Sequence, residues 1–214
     1  MFLGKSAVGL DIADHTIEVM ELSGSSSHPK ILGMARTSLE LGVVERGRIK
    51  NEEKLAETIK KLFKQSKPSS ISANNVVFGL PESVTYIHNF HLEPHSKRDR
   101  EDLIKEEIEN NIPDNPDDLL YAYRILKDNK EGVEVLLVLI NRDVLNEWQS
   151  FFKKNKIEVK IFDIESLARF RDLYSALPKE PVCVVDIGSE STGIDIFDKN
   201  GLHLSYVVGV GGEV

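Results

Sequence analysis

The feature that most constrains this chain is a strand–turn–strand pattern that occurs twice, at residues 8–22 and 182–197. Each copy begins with an apolar stretch that ends in Asp-Ile, passes through a short turn of small or polar residues, and returns in a second apolar stretch. A turn of this kind directs successive backbone N–H groups to one point, and such a concavity favours anions. Two of these hairpins facing each other would hold the phosphates of a nucleotide.

Each type of residue in these turns has a chemical reason to be there. Glycine allows a close approach of the backbone, and serine or threonine adds hydroxyl donors. An aspartate at a strand end can hold Mg²⁺, usually through water, because this ion gives up its waters reluctantly. The simpler explanation is that such aspartates only cap turns, and one hairpin alone is weak evidence because turns of this type are common.

The pattern outside the repeats alternates strands with helices. After the first hairpin, residues 31–37 read as a third antiparallel strand, and Asn51 caps a helix whose apolar residues have helical spacing. Residues 75–80 read as a short buried strand that Pro81 stops. Residues 84–160 then read as strand, helix, strand, strand, helix, strand. This order predicts a small α/β unit inserted after Pro81.

The boundaries of the later elements follow from their start and stop signals. The first helix of the inserted unit is predicted to begin at Ser96 and to end at Pro113. A further helix is predicted over residues 164–177, and residues 182–187, which include Cys183, are predicted to form a buried strand. The Asn-Gly pair at 200–201 is a strong hairpin signal before the strand at 202–208.

Composition excludes several classes of function. The 214-residue chain has a formal net charge of -8, which argues against a general nucleic-acid binder and weakly against docking on anionic lipid. A single cysteine excludes an intrachain disulfide. We see no apolar stretch near the roughly 20 residues that a membrane span needs, and no secretion signal. These observations predict a soluble cytoplasmic protein.

His88, His91 and His95 lie close in sequence, but their spacing disfavours a metal site.

Several motifs together resemble the PilM family of type IV pilus assembly proteins. Asp11–Leu22 and Asp186–Thr192 are similar to its two phosphate hairpins, which actin-like ATPases and sugar kinases share. The middle of the chain is more specific to PilM and its cell-division relative FtsA. The matching segments there are Asn110–Pro113, Leu120–Tyr123 and Glu131–Val138, and Gly211–Glu213 resembles the start of the helix that leads into the second half of the family's molecule. The resemblance covers essentially the whole chain.

The resemblance implies an α/β fold with an actin-like (ribonuclease H-like) subdomain 1A that carries an inserted 1C (SHS2-like) subdomain. Residues 1–83 and 161–214 would form subdomain 1A, and residues 84–160 would form subdomain 1C. The 2A and 2B parts of the family, which help to hold the nucleotide, have no counterpart here. We therefore expect a partial chain, although Val214 as a native C-terminus stays an alternative.

By the same resemblance, ATP and Mg²⁺ are possible ligands of the full-length protein, and this chain alone is expected to bind neither. The first hairpin departs from the family pattern, because Ala13 replaces a glycine and Glu18 replaces a frequent lysine. Asp14 and Glu18 would add negative charge near a polyanion, which disfavours tight ATP binding. The metal ligands would be Asp11 and Asp186. The residues that would contact the cofactor are Asp11, Ala13, Asp14, His15, Thr16, Asp186, Gly188, Ser189, Ser191 and Thr192.

Two main functions follow from the resemblance. The first is a cytoplasmic scaffold that binds the N-terminal cytoplasmic tail of a PilN-like inner-membrane protein, in a cleft between 1A and 1C. It would contact other pilus assembly proteins and be peripheral to the inner membrane through its partner. The second is an FtsA-like, ATP-dependent or polymer-forming switch, against which the altered first hairpin counts. A sugar-kinase-like enzyme is weaker still, because the 1C-like insertion is foreign to that group.

Overall fold

A computed structural model describes residues 6–25, 28–93, 99–176, 178–189 and 191–212. Within these residues the strands are β1 (Ser6–Ile12), β2 (Thr16–Ser25), β3 (His28–Ser38), β4 (Val44–Glu45), β5 (Arg48–Ile49), β6 (Lys67–Pro68), β7 (Val76–Leu80), β8 (Thr85–Leu92), β9 (Leu119–Asn129), β10 (Gly132–Asn141), β11 (Val159–Ile164), β12 (Val182–Ile187), β13 (Thr192–Phe197) and β14 (Leu202–Val208). The helices are α1 (Glu52–Gln65), α2 (Arg100–Asn111), α3 (Arg142–Lys154) and α4 (Glu165–Leu173).

The chain forms two compact units, and each combines an early segment with a later one. The first unit contains residues 1–84 and 144–168, and the second contains residues 85–143 and 169–214. Most of α3, which the sequence placed in the inserted unit, therefore groups with the first unit. The domain boundaries predicted from the sequence stay a prediction.

The first unit is built on a six-stranded sheet with the order β11-β7-β1-β2-β3-β6. β1, β2 and β3 form an antiparallel meander, as the sequence predicted, and β7 lies parallel to both β1 and β11. Alternation along β1 buries Val8, Leu10 and Ile12 on one face. These residues anchor the strand that leads into the first predicted hairpin.

Helix α1 forms for the reasons that the sequence indicated. The side chain of Asn51 accepts a hydrogen bond from the backbone N–H of Lys54 at 3.0 Å, and Glu52 and Glu53 lie in the first turn. The buried face of α1, which packs against β2 and β3, is formed by Leu55, Ala56, Ile59, Leu62 and Phe63.

Helix α3 belongs to the first unit because its aromatic residues pack against β7. The ring centroid of Phe78 lies 4.7 Å from that of Trp148 and 4.9 Å from that of Phe152. The rings of Phe151 and Phe162 extend this cluster. Trp148 is fully buried, and its indole N–H donates to the carbonyl of Gly47 at 3.0 Å. This cluster ties α3 to both the sheet and the β4–β5 loop.

The second unit contains two three-stranded antiparallel sheets, β8-β10-β9 and β12-β13-β14. α2 covers the first of them through a core of buried residues, which are Ile104, Ile108, Leu119, Leu137 and Leu139. Asp99 caps the helix by accepting from the N–H of Glu101 at 2.8 Å. The start predicted at Ser96 lies outside the described residues. The two sheets meet at β8 and β14, where the Asn89 side chain donates to the carbonyl of Leu202 at 2.9 Å.

The outer face of the β12-β13-β14 sheet is apolar and uncovered by the residues that the structure describes. Val185 is 54% exposed, Ile187 67% and Tyr206 63%, and Cys183 is also exposed. Ile194 and Ile196 lie between them in register. The prediction that residues 182–187 form a strand is confirmed, but the prediction that it is buried is wrong. The apolar composition of a strand indicates that one of its faces is suited to burial. It does not indicate which residues, if any, pack against that face.

The later elements agree with their predicted types. α4 is followed by a short 3-10 turn at Tyr174–Ala176, and the predicted end of this helix at Leu177 lies outside the described residues. The Asn200-Gly201 turn joins β13 to β14, as predicted. Gly201 has a φ of +152°, and a Cβ there would lie 2.7 Å from Cδ2 of Leu126. The structure therefore requires glycine at this position.

Candidate phosphate-binding hairpins

The first predicted hairpin is the turn between β1 and β2. Ile12 pairs with Ile17, both fully buried, and the N–H of Ala13 donates to the carbonyl of Thr16 at 2.9 Å. The buried isoleucines fix the turn to the core of the first unit. Asp11 at the strand end is exposed, and in the strand register it lies opposite Glu18.

Asp14 has a structural role in this hairpin. Its carboxylate accepts hydrogen bonds from the backbone N–H groups of Arg46 at 2.7 Å and of Gly47 at 3.2 Å. Gly47 has a φ of +70°, and a Cβ there would lie 2.7 Å from Cγ1 of Val84, so this turn depends on glycine. The negative charge of Asp14 is therefore used to hold the β4–β5 turn.

Other charged and polar groups of the first hairpin also have partners within the first unit. The carboxylate of Glu18 pairs with Arg36 at 3.0 Å, and both side chains are exposed. The carbonyl of His15 accepts from the N–H of Leu39 at 2.7 Å. These contacts connect the turn to β3 and to the segment after it. The groups that would have opposed a phosphate are thus part of the local structure.

Removing the Asp14 carboxylate is expected to destabilise the chain by about 1–2 kcal/mol, because two backbone N–H groups lose a charged acceptor. Asp14→Ala should lower the midpoint of urea unfolding, measured by circular dichroism. Glu93→Ala, which removes an exposed carboxylate, is the control and should change stability by less than about 0.5 kcal/mol. Equal effects of the two substitutions would show that the Asp14 contacts add nothing to stability.

The second predicted hairpin joins β12 to β13. Ile187 pairs with Thr192, and the N–H of Gly188 donates to the carbonyl of Ser191 at 2.9 Å. The carbonyl of Gly188 accepts from the N–H of Gly212 at 2.9 Å, and the Thr192 hydroxyl donates to the carbonyl of Val210 at 2.7 Å. The segment after β14 is therefore bonded to this turn. Ser189 is half-buried, and Ser191 is exposed.

The structure adds two residues to this site that sequence reasoning missed. Arg169 of α4 donates from Nη1 to the Asp186 carboxylate at 2.9 Å and from Nη2 to the Asp195 carboxylate at 2.8 Å. Asp195 is only 1% exposed. The signal for Asp195 was present, since this charged residue falls at a buried position of an alternating strand. Arg169 had no comparable signal in the sequence, because helical spacing alone does not identify the partners of a side chain.

At the second hairpin, the carboxylate that the sequence assigned to a metal ion has a protein partner. The Asp186 carboxylate, which the resemblance assigned to Mg²⁺, is paired with a guanidinium. Over the described part of the chain, no three His, Cys, Asp or Glu side chains lie together as metal ligands would. His88 bonds to the Glu107 carboxylate at 2.8 Å and His91 to the carbonyl of Glu131 at 3.0 Å, while His95 is outside the described residues. The two hairpins lie in different units.

Comparison with solved structures identifies the fold. The chain is similar to a protein in the PilM-PilN type IV pilus biogenesis complex, with a TM-score of 0.83 and 20% identity over 97% of this chain and 62% of that one. The cytoplasmic domain of EpsL, an inner-membrane component of the type II secretion system of Vibrio cholerae, gives a TM-score of 0.59 and 16% identity over 95% of this chain and 71% of that one. A Bacteroides thetaiotaomicron protein of unknown function with an actin-like ATPase fold gives a TM-score of 0.55 and 13% identity, over 97% of this chain and 71% of that one.

These similarities place the chain in the class of actin-like α/β proteins, and the predicted fold class is confirmed. The model of the family of type IV pilus assembly protein PilM matches residues 9–213. The chain belongs to this family, as its motifs predicted. It spans 62% of the length of the protein in the PilM-PilN complex. No curated protein matches the sequence. None of the helices in the described residues combines the length and apolar character that crossing a membrane requires.

Proposed function

We propose that this PilM-family chain is part of a scaffold that binds the N-terminal cytoplasmic tail of a PilN-like inner-membrane protein. The observation that carries the proposal is the similarity, over 97% of the chain, to a protein whose solved structure is a PilM-PilN complex. Binding of such a tail would hold the protein at the inner membrane, where other pilus assembly proteins would reach it. A short tail that becomes ordered on binding gives modest affinity, because ordering costs free energy.

Charge supports this kind of partner. Cytoplasmic segments next to a membrane span carry an excess of lysine and arginine, and this chain has a net charge of -8. In the second unit, the exposed side of α2 carries four acids against the two bases Arg100 and Lys105; the acids are Glu101, Asp102, Glu106 and Glu109. We propose that this acidic face of α2 attracts the basic tail, so that binding weakens as salt rises.

Two tyrosines adjoin this acidic face. The hydroxyl groups of Tyr121 and Tyr123 on β9 donate to the Glu101 carboxylate at 3.2 and 2.9 Å. The hydrogen bond to Glu101 raises the pKa of Tyr123. Tyrosines held in this way provide rigid contact area at a low entropy cost, which suits recognition of a flexible peptide.

We expect a synthetic peptide of the PilN-like tail to bind this chain with a Kd in the micromolar range, about 1–100 μM. The double substitution Asp102→Lys and Glu109→Lys should weaken binding by at least about fivefold through lost attraction to the basic tail. The measurement is fluorescence anisotropy of labelled peptide at two salt concentrations. The matched control is Glu53→Lys with Glu57→Lys on α1, which makes the same change in charge on another helix and should alter the Kd by less than about twofold.

The possible results distinguish two questions, namely whether the chain recognises a PilN-like tail and where on the chain the tail binds. Equal weakening by both double variants would show that only net charge matters, and no weakening by either would place the tail elsewhere on the chain. A scrambled tail peptide that binds as tightly as the native one would contradict recognition of a PilN-like partner.

An ATP-dependent switch is the less favoured function. It needs carboxylates that hold a metal ion and turns that hold phosphates. Asp14, Glu18 and Asp186 instead have protein partners here, namely backbone N–H groups, Arg36 and Arg169. These contacts support a scaffold in which the hairpins have become structural.

A further inference from the structure

The charges of helix α1 in the first unit are separated along its length. Its acidic residues lie in its first two turns, and its second half carries Lys60, Lys61 and Lys64. Their spacing puts these lysines on one side of the helix, where all three are exposed, and the buried apolar residues lie on the opposite side. Lysines near a helix C-terminus complement the macrodipole, which explains them without any partner.

A fourth lysine comes from outside the helix, so the macrodipole does not account for it. Lys67 lies on β6, which pairs with β3 at one edge of the six-stranded sheet. With α1 it surrounds an open groove of about 790 Å³, the lysine groove, which is lined by Glu57, Lys60, Lys61, Lys64, Gln65 and Lys67. Four lysines and one glutamate give the groove a formal charge of +3, in a chain whose net charge is -8.

The ammonium groups of the lysine groove are available to a partner. Among the described residues, none of its four lysines forms an ion pair, whereas Lys54 on the same helix pairs with Glu40 at 2.9 Å. All four side chains are exposed. Cations that cluster without counter-charges create a positive potential, which attracts an anionic partner.

The composition of the groove indicates which kind of anion fits it. Among the described residues that line it there is no arginine and no aromatic side chain. Arginine provides the planar fork for one fixed phosphate, and aromatic residues stack on bases or anchor a protein partner. Lysine is a point charge on a flexible stem, so four lysines suit a surface of many mobile anionic groups. An anionic lipid bilayer is such a surface.

We propose that the lysine groove docks on the headgroups of an anionic lipid bilayer, without insertion of the chain. The sequence argued weakly against lipid because of the net charge of -8. At physiological salt, however, charges act over only about 8 Å, so the bilayer responds to the local charge of the groove. Each basic residue close to an anionic leaflet strengthens binding by about fivefold.

The role of this docking rests on the proposed function. A weak membrane contact gives stable attachment only together with a second one. A bound PilN-like tail would hold the chain at the membrane and raise the effective concentration of lipid at the groove. The groove would then turn the exposed face of α1 towards the bilayer.

The test is sedimentation of the chain, without any tail peptide, with vesicles of phosphatidylcholine that contain about 30% phosphatidylglycerol, and with vesicles of phosphatidylcholine alone. We expect the anionic vesicles to bind the chain at least about tenfold more strongly than the neutral ones, and less so as salt rises. Replacing the four lysines together by glutamine should weaken this binding by at least about tenfold. The substitutions are Lys60→Gln, Lys61→Gln, Lys64→Gln and Lys67→Gln.

The matched control makes the same change of charge at four exposed lysines that do not line the groove. Its substitutions are Lys50→Gln, Lys130→Gln, Lys153→Gln and Lys179→Gln. This variant should change vesicle binding by less than about threefold, because its charges are dispersed. Circular dichroism checks that both variants are folded, and the groove variant should bind the tail peptide with an unchanged Kd.

Three results would overturn the proposal. The first is no binding of the unchanged chain to anionic vesicles. The second is an equal loss of binding in both variants, which would make the effect one of net charge. The third is binding to single-stranded DNA or polyglutamate that needs the four lysines while vesicle binding does not, which would make the partner a nucleic acid or an acidic peptide. Vesicle binding without tail-peptide binding would contradict the proposed function and not the lipid contact.

Discussion

Replacing Trp148 with alanine is expected to destabilise the chain by about 3–5 kcal/mol, the range for truncating a large buried aromatic side chain. Trp148 is fully buried, and its ring packs against those of Phe78 and Phe152. The substitution leaves a cavity in this cluster. It also deprives the carbonyl of Gly47 of the indole N–H that donates to it at 3.0 Å.

The substitution of Trp148 is also expected to loosen the contacts of the first hairpin. The neighbouring Glu147 accepts from the N–H of Ile49 at 2.6 Å and from the Arg48 side chain at 3.1 Å, so α3 holds the β4–β5 loop at several points. Asp14 holds the same loop from the hairpin side. Loosening of α3 is therefore expected to increase amide exchange at Arg46 and Gly47, where the Asp14 bonds are made.

Unfolding of the Trp148 variant has to be followed by circular dichroism, because the chain contains one tryptophan and the variant loses its fluorescence. Trp148→Phe is the control. It keeps most of the ring volume and loses the N–H donor, so a cost of about 1–2 kcal/mol is expected. A cost below about 1 kcal/mol for Trp148→Ala would mean that the cluster does not stabilise the first unit.

Replacing Arg169 with methionine is expected to cost about 3–5 kcal/mol, because it leaves the buried Asp195 carboxylate without its cation. The guanidinium makes two bonds to Asp195 Oδ2, at 3.2 and 2.8 Å, and Asp195 is 1% exposed. Methionine keeps much of the arginine stem, so the lost charge dominates the effect. Urea unfolding followed by circular dichroism gives the free energy.

Two further variants isolate this effect. Arg169→Met combined with Asp195→Asn removes the uncompensated charge and should recover at least about 2 kcal/mol of the loss. Asp186→Asn removes only the exposed partner and should cost less than about 1 kcal/mol. Recovery by the second substitution identifies charge burial as the cause. A double variant as unstable as Arg169→Met alone would show that packing of the arginine stem is responsible instead.

Much of the fold follows from local signals in the sequence. The Asn51 cap, the Asn200-Gly201 turn and the two Asp-Ile strand ends each specify a local geometry that needs no distant partner. The order of strands and helices predicted an inserted α/β unit, whereas the actin-like fold class followed from the resemblance to the PilM family. The cap, the turn and the strand ends all occur in the structure at the positions that the sequence predicted.

The candidate site was less predictable, because its properties depend on contacts distant in sequence. Asp14 is bonded to residues 32 and 33 positions later, and Asp186 to Arg169, 17 positions earlier. Neither contact has a periodic pattern that would reveal it. The exposure of Val185 and Ile187 shows the same limit, since an apolar strand indicates that a face is suited to burial and not what covers it.

We propose that this PilM-family chain recognises a PilN-like tail without requiring a nucleotide. The most direct test is isothermal titration of the tail peptide into the chain, with and without Mg-ATP. We expect micromolar binding, about 1–100 μM, that changes by less than about twofold with Mg-ATP, while Mg-ATP alone binds no more tightly than about 1 mM. Peptide binding that requires Mg-ATP, or that is absent in both titrations, would contradict recognition of the tail by this chain without a nucleotide.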